Sequence, residues 1–362
     1  MIQAKSGTVS AIQILRFWAA AIVLVSHIEQ SIISFNAQYA TNVHLWEIDG
    51  RLGVDIFFVI SGYLMGLIAG EDFNKPGAAN KFIFDRLTRI VPIYWLITFL
   101  RFAMVQSANF LGFPTTISWI PLQDLFKSFF FIPFLNEEGN HRPVLGQGWT
   151  LDYEIFFYCI FALCLQFRKT YGIVVMSATF VLLYAVGLFY KSSIILNVYS
   201  DPIIFEFLLG FYLSLLRKRF NFTLDIKGSS FAACVIVGMA TYLNLYSNGS
   251  NVAIAMLLVV IAIYVTDSAA SNPIGQALIG LGDASYCLYL THGFVIYFVS
   301  VGWNMVFGEK MLYLYGFTVF LSAILLSLPV NKYIAVPATR ALRNNQKRQS
   351  RAPEITFNFN SV

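Results

Sequence analysis

Residues 11–31 read AIQILRFWAAAIVLVSHIEQS. A helix needs about 20 mostly apolar residues to cross the hydrocarbon of a bilayer, and this stretch has them. It follows only Lys5 and runs into Ser26, His27 and Glu29 without a small-residue cleavage site. It therefore reads as a retained first span rather than a removable leader. Two of its residues do not belong in lipid: Arg16 and His27. Each ionisable group at the centre of a span costs about 2.5–3.5 kcal/mol on the insertion scale, so a bundle with no task for them avoids them.

The rest of the chain extends the pattern. Of 362 residues, 57% are hydrophobic, 17% aromatic and only 12% charged. Soluble proteins carry about 25% charged residues. This composition excludes a water-soluble enzyme and a disordered chain, and it predicts an all-α integral membrane protein. Apolar stretches near 11–31, 52–70, 88–108, 149–167, 172–190, 202–216, 229–247, 250–267, 278–301 and 311–335 predict a bundle of ten transmembrane helices. The apolar segment 119–135 is broken by Pro121, Asp124, Lys127 and Pro133 and reads as interfacial or re-entrant.

With the first residues in the cytoplasm, 17 of the 24 basic residues fall on the cytoplasmic side and 5 on the other, with Arg16 and Arg101 inside spans. That asymmetry predicts both termini in the cytoplasm. The net charge of +5 is small and no long basic run precedes the tail, which argues against a nucleic-acid partner. Residues 341–362 are basic and then polar and read as a flexible cytoplasmic tail, able to rest on anionic lipid. Cys159, Cys164, Cys234 and Cys287 all lie in apolar segments without metal-ligand spacing, so they read as small buried hydrophobes, and no metal site is expected.

The candidate chemistry sits in particular spans. Arg16 and His27 are eleven residues apart. At 100° per residue they fall about 20° from the same direction and about 16 Å apart along the axis. One helix face thus offers a fixed cation and, far along it, a titratable base. Asp55, near the outer end of the second span, comes close in depth to His27, where a carboxylate can orient the ring. Ser61 and Gly62 permit close helix approach. Arg86 and Arg89 stand at i, i+3 before Pro92, on one helical face. Two guanidinium forks at that spacing suit a phosphate or pyrophosphate, although positive charge that merely sets topology reads the same way. The fourth span opens with Trp149, Asp152, Tyr153 and Glu154, and the ninth carries Asp283, Ser285, Tyr286, Tyr289 and His292. Trp149 and Tyr153 also suit an interfacial aromatic belt, and His292 a hydrogen-bonded bundle histidine. His44 and His141 fall in loops and are expected to be solvated.

Taken together, five blocks resemble the membrane acyltransferase-3 family. They are the Arg16–His27 pair, the Gly-Val-Asp-x-Phe-Phe-x-x-Ser-Gly run at 53–62, Arg86-x-x-Arg89 before Pro92-x-Tyr94-Trp95, Trp149-Thr150-Leu151-x-x-Glu154 and Ser285-Tyr286-x-x-Tyr289-Leu290-x-His292. The form of the fourth block is most similar to the exopolysaccharide acetyltransferase branch. Phe294 stands where members often have Pro two residues after the ninth-span His.

The resemblance, running from about residue 9 to 335, implies a multi-pass enzyme of the bacterial inner membrane, with residues 1–340 as its acyltransferase unit. It implies transfer of an acyl group, usually acetyl, from cytoplasmic acetyl-CoA to a carbohydrate hydroxyl. Its functional residues map onto His27 as the catalytic group, with Asp55 and Glu154 as acidic partners, and onto Arg16, Arg86 and Arg89 for the anionic donor. Trp149, Tyr153, Tyr289 and His292 are the candidates for the acceptor site. His27 would either deprotonate the sugar hydroxyl or carry the acetyl group itself. Two other classes fit the intramembrane polar residues: a proton-coupled transporter or flippase for a glycan precursor, and a non-catalytic scaffold of a polysaccharide assembly.

Overall fold

The structure is a computed structural model that describes residues 6–39, 43, 45–112, 119–136, 139–190, 193–220, 224–225, 251–266 and 273–349. The chain folds into α1 (Ser6–Tyr39), α2 (Arg51–Ala69), α3 (Ala78–Phe110), α4 (Leu122–Phe129), α5 (Trp149–Cys164), α6 (Lys169–Phe189), α7 (Ile194–Tyr199) and α8 (Ile204–Arg219). After the gap come α9 (Asn251–Tyr264), α10 (Pro273–Asp283), α11 (Ser285–Val306), α12 (Leu312–Val330) and α13 (Val336–Gln349). Seven helical stretches among the described residues are long and apolar enough to cross a membrane: α1, α2, α3, α6, α7 with α8, α11, and α12 continued into α13. Their outward faces carry large apolar side chains such as Val181, Leu182, Phe298, Phe317 and Leu325. A belt of this kind belongs in lipid, and the chain is a multi-pass membrane protein.

Several expectations meet the structure with differences. The stretch at 149–167 is the 16-residue α5, and that at 250–267 is the 14-residue α9, both short of the seven. The stretch expected at 229–247 lies outside the described residues. The ninth is divided, because α10 ends at Asp283 and α11 starts afresh at Ser285. Segment 119–135 does not span: its helix, α4, has eight residues. The tail boundary expected at 341 falls inside α13, which runs to Gln349.

The end at which α1 begins is called proximal below, and the other end distal. Small residues set the helix spacing in the centre. A β-carbon on Gly62 of α2 would fall 2.0 Å from the Phe207 carbonyl oxygen of α8, and one on Gly210 would fall 2.0 Å from the Val59 oxygen. The two helices therefore cross backbone to backbone, as small residues allow in membrane bundles. Beside this crossing, Phe157, Phe180 and Phe207 stack, with ring centroids 5.3 Å and 4.4 Å from Phe157.

The proximal end is tied by side chains. Pro92 lies inside α3 and offers no N–H to the Thr88 carbonyl one turn back. Thr339 Oγ1 of α13 stands 3.2 Å from that oxygen and 2.9 Å from the Ala335 carbonyl, and its one hydroxyl proton is shared between them. Arg343 pairs with Asp85 at 3.3 Å, so α13 docks along the start of α3. Glu71 accepts from Lys218 at 2.6 Å and Lys169 at 3.0 Å, joining the ends of α2, α8 and α6.

Two outcomes follow for stability in detergent. Gly62→Val overpacks the α2–α8 crossing and lowers stability by about 1–3 kcal/mol or more, read as a lower thermal midpoint; an unchanged midpoint would mean that the helices do not cross so closely. The hydrogen bonds from Lys218 and Lys169 hold the Glu71 carboxyl down at about 2, against about 4.3 in an unfolded chain. Its contribution is present above the unfolded value and lost as pH falls toward the folded one. The group is exposed, so solvent screening limits this to less than about 1 kcal/mol. The midpoint gap between wild type and Glu71→Gln is expected to narrow between pH 5 and pH 3.

Candidate active site

Three arginines from two helices meet in a cavity of about 90 Å³ in the proximal half of the bundle. Arg16 comes from α1, and Arg86 and Arg89 from α3, where their i, i+3 spacing turns both inward. Arg16 and Arg86 are buried. Arg16 donates to Gln13 Oε1 at 3.2 Å, and Gln13 in turn donates to Asp283 at 2.6 Å. The Arg86 guanidinium carbon stands 5.6 Å from the Phe82 ring and 5.9 Å from the Tyr158 ring, and its Nε has no hydrogen-bond partner.

Among the described residues none of the three forms an ion pair. The nearest acid in the cavity is Glu154, whose carboxylate is held by Ser61 Oγ at 3.1 Å and by the Tyr158 hydroxyl. Glu154 therefore faces the arginines, not the distal mouth where it was expected beside His27. The reason is rotational: Asp152, two residues earlier on α5, points to the distal side and takes His141 Nε2 at 2.9 Å. That contact also removes His141 from the solvated role expected of it.

The distal half holds a wider vestibule of about 830 Å³. His27 lines it, half-buried, with Nδ1 3.3 Å from Gln30 Oε1 one turn on. That contact orients the ring and leaves Nε2 without a side-chain hydrogen-bond partner among the described residues, turned to the vestibule. The expected orienting carboxylate is not there. Asp55 lines the same vestibule, together with Glu206 of α8.

Of the four residues expected to meet an acceptor, Trp149 and Tyr289 line the vestibule, and Tyr153 and His292 stand behind its walls. Tyr153 packs edge-on against Trp149, with centroids 5.8 Å apart. The buried His292 ring lies 5.2 Å from the His27 ring, with Nδ1 at 3.2 Å from the Leu288 carbonyl. It backs His27 and reaches no open space.

Val54 and Tyr289 line both the arginine cavity and the vestibule, so the two spaces meet at these side chains. Tyr289 is held there by its hydroxyl, which donates to the Gln147 carbonyl at 2.8 Å and sits 3.0 Å from Thr150 Oγ1. The arrangement can hold a polyanion at one end and present a neutral imidazole at the other. Sequence reasoning missed Glu206, Arg142 and Gln147. Glu206 was open to the rule that exposed Asp55, a carboxyl inside an apolar run; Arg142 and Gln147 sit in a loop and carry no such signal. Among the described residues no group of three or more His, Cys, Asp or Glu side chains is arranged to hold a metal.

Comparison with known proteins gives a consistent result. The family described as "Acyltransferase domain" matches residues 9–332. The chain is similar to the exopolysaccharide production protein ExoZ of Rhizobium meliloti (strain 1021), at 34% identity over 256 residues, covering 69% of this chain and 78% of that one. It is also similar to the O-acetyltransferase OatA of Staphylococcus aureus (strain NCTC 8325 / PS 47), at 25% identity over 330 residues, covering 81% of this chain and 53% of that one. The chain thus spans about half the length of OatA. No solved structure gives a significant match.

The unpaired cations make a prediction that needs no substrate. Arg86→Met exchanges a buried, incompletely bonded guanidinium for an apolar side chain. It is expected to raise the thermal midpoint of the ligand-free protein, by about 1–2 kcal/mol in stability. A lower midpoint would mean that Arg86 is a structural residue.

Proposed function

The chain belongs to the acyltransferase family, and we propose that it is a membrane O-acetyltransferase moving an acetyl group from cytoplasmic acetyl-CoA to a hydroxyl of an exported polysaccharide or its lipid-linked precursor. The observation that carries this reading is the meeting of the arginine cavity and the His27 vestibule at Val54 and Tyr289. A transporter has no need of a polyanion clamp at one end and a base at the other. The names of the two relatives, one an exopolysaccharide production protein and one an O-acetyltransferase, support the substrate class.

The orientation follows the charge. The proximal end carries Lys169, Arg217, Lys218, Arg219 and the basic α13, so it is the cytoplasmic side of a bacterial inner membrane, with both termini there. Ten spans fit the ends of the described segments. Leu224–Asp225 pairs with Val265–Thr266, while Asn251 donates to Asp49 at 2.7 Å near the start of α2, so α9 begins distally and ends proximally, parallel to α8. The ten-span reading takes 229–247 as the return between them. On this reading residues 1–340 are the acyltransferase unit, and the cytoplasmic stretch from 341 on begins inside α13.

Arg16, Arg86 and Arg89 hold the phosphates of the donor, and Glu154 limits the repulsion among them. The slim thioester arm passes Tyr289 to the vestibule. There His27 Nε2 takes the proton of the acceptor hydroxyl as its oxygen attacks the thioester carbonyl. A C–O bond forms, the C–S bond breaks, and the departing thiolate recovers the proton from the imidazolium. Gln30 and His292 keep the His27 ring in place. Asp55, with Glu206, accepts hydrogen bonds from acceptor hydroxyls near Trp149.

His27→Ala is expected to lower transfer to the host's surface polysaccharide by about 10²–10⁴-fold while the protein still inserts and accumulates. Arg89→Gln is expected to raise KM for acetyl-CoA with a smaller change in kcat. Near-normal acetylation in the His27 variant, by mass spectrometry of the polysaccharide, would reject the assignment.

A further inference from the structure

A second distal chamber, of about 740 Å³, lies between α3, α11 and the segment around α4. The reaction above does not use it. Arg142 and Gln147 line this chamber and the His27 vestibule alike, so the two spaces share these side chains as a common wall. Arg101 of α3 lines it as well, facing Tyr297 of α11. Arg101 stands in an apolar stretch, between Leu100 and Phe102, where a cation is costly. It makes no ion pair or hydrogen bond within the described chain. The acid of the same chamber, Asp124, is taken by Lys127 at 3.1 Å. Topology-setting charge does not explain Arg101, because basic residues are scarce at the distal end.

The rim of the chamber shows where a ligand enters. The α4 segment is fastened along α3: Trp95 Nε1 donates to the Phe129 carbonyl at 2.9 Å, and Gln106 bonds both the N–H and the carbonyl of Ile120, each at 3.1 Å. Its outward side is apolar, with Trp119, Leu122, Phe126 and Phe130 all more than half exposed. The segment runs antiparallel beside α3 from Gln106 to Trp95, about 16 Å along that helix, with its apolar side outward. The chamber therefore lies beside this lipid-facing segment, and the Arg101 guanidinium lines it without an ion pair or hydrogen bond among the described residues.

We infer that this chamber holds the phosphate by which a glycan acceptor is tethered to its lipid. Arg101 pairs with that phosphate, and the sugars run past Arg142 and Gln147 to His27. The inference rests on the acetyl-transfer reading and adds the acceptor's class: a lipid-linked glycan taken from the membrane surface, not a free polymer. A guanidinium fork matches phosphate oxygens in two places at once, which gives it geometry as well as charge.

The test uses the full-length protein in phosphatidylcholine nanodiscs. A polyprenyl diphosphate is titrated against the uncharged polyprenol of the same length and against a soluble uronic-acid oligosaccharide. Wild type is expected to prefer the diphosphate to the polyprenol by about tenfold or more. Arg101→Gln is expected to lose that preference and Arg101→Lys to keep part of it. Arg343→Gln, at the far end of the bundle, is expected to keep all of it. Equal binding of diphosphate and polyprenol by wild type would overturn the inference. So would an undiminished preference in Arg101→Gln, or loss in that variant of uronic-acid binding alone. Coenzyme A is titrated on the same samples. An Arg101 variant that binds coenzyme A as wild type does is folded, so its lost preference counts. A wild type that binds the diphosphate but no coenzyme A would defeat the donor reading while leaving the Arg101 result standing.

Discussion

Three guanidinium groups in one membrane-embedded cavity, without an ion-pair partner among the described residues, form the constraint around which the rest of the structure is arranged. Like charges in a low-dielectric interior repel, and each has given up its water. The protein offsets this in part. Gln13 holds Arg16, the rings of Phe82 and Tyr158 flank Arg86, and Glu154 faces all three from the opposite wall. None of these neutralises the cluster. Such an arrangement suits a bound anion, which is why the cavity is proposed as a functional site and not as an internal prop.

The scaffold keeps this cluster in place by packing helices closely elsewhere. The backbone crossing of α2 and α8 at Gly62 and Gly210 fixes the helix that carries Ser61, and through it Glu154. The docking of α13 on the proline-freed carbonyl of Thr88 steadies the turn of α3 between Arg86 and Arg89. At the other end, Tyr289 is clamped between Gln147 and Thr150, so the boundary between the donor cavity and the vestibule is a fixed side chain. The same α1 helix supplies the cation on one side of that boundary and the imidazole on the other. On the proposed reading, the reaction is split across the membrane without moving either end.

What was legible in the sequence is what depends on one helix at a time. The apolar runs gave most of the helices. The near-integral number of turns between Arg16 and His27 placed them on one face, and the i, i+3 spacing of Arg86 and Arg89 turned them together. What was illegible depends on two helices meeting. Nothing local says that Glu154 joins the arginines while Asp152, half a turn away, reaches back to a loop histidine. Nothing local says that Glu206 joins Asp55 in the vestibule wall, since their separation in the chain is bridged only by the α2–α8 crossing. Gln30, one turn from His27, was within reach of a local argument, but a carboxylate was the more familiar partner for an imidazole and drew attention away from it.

The continuity of donor cavity and vestibule is tested most directly by a photoreactive coenzyme A thioester whose diazirine sits on the acyl end, followed by peptide mapping. The account predicts crosslinks in the segments that hold His27, Val54 and Tyr289, abolished by competing coenzyme A. Labelling confined to the proximal loops and α13, with none at those three segments, would contradict it.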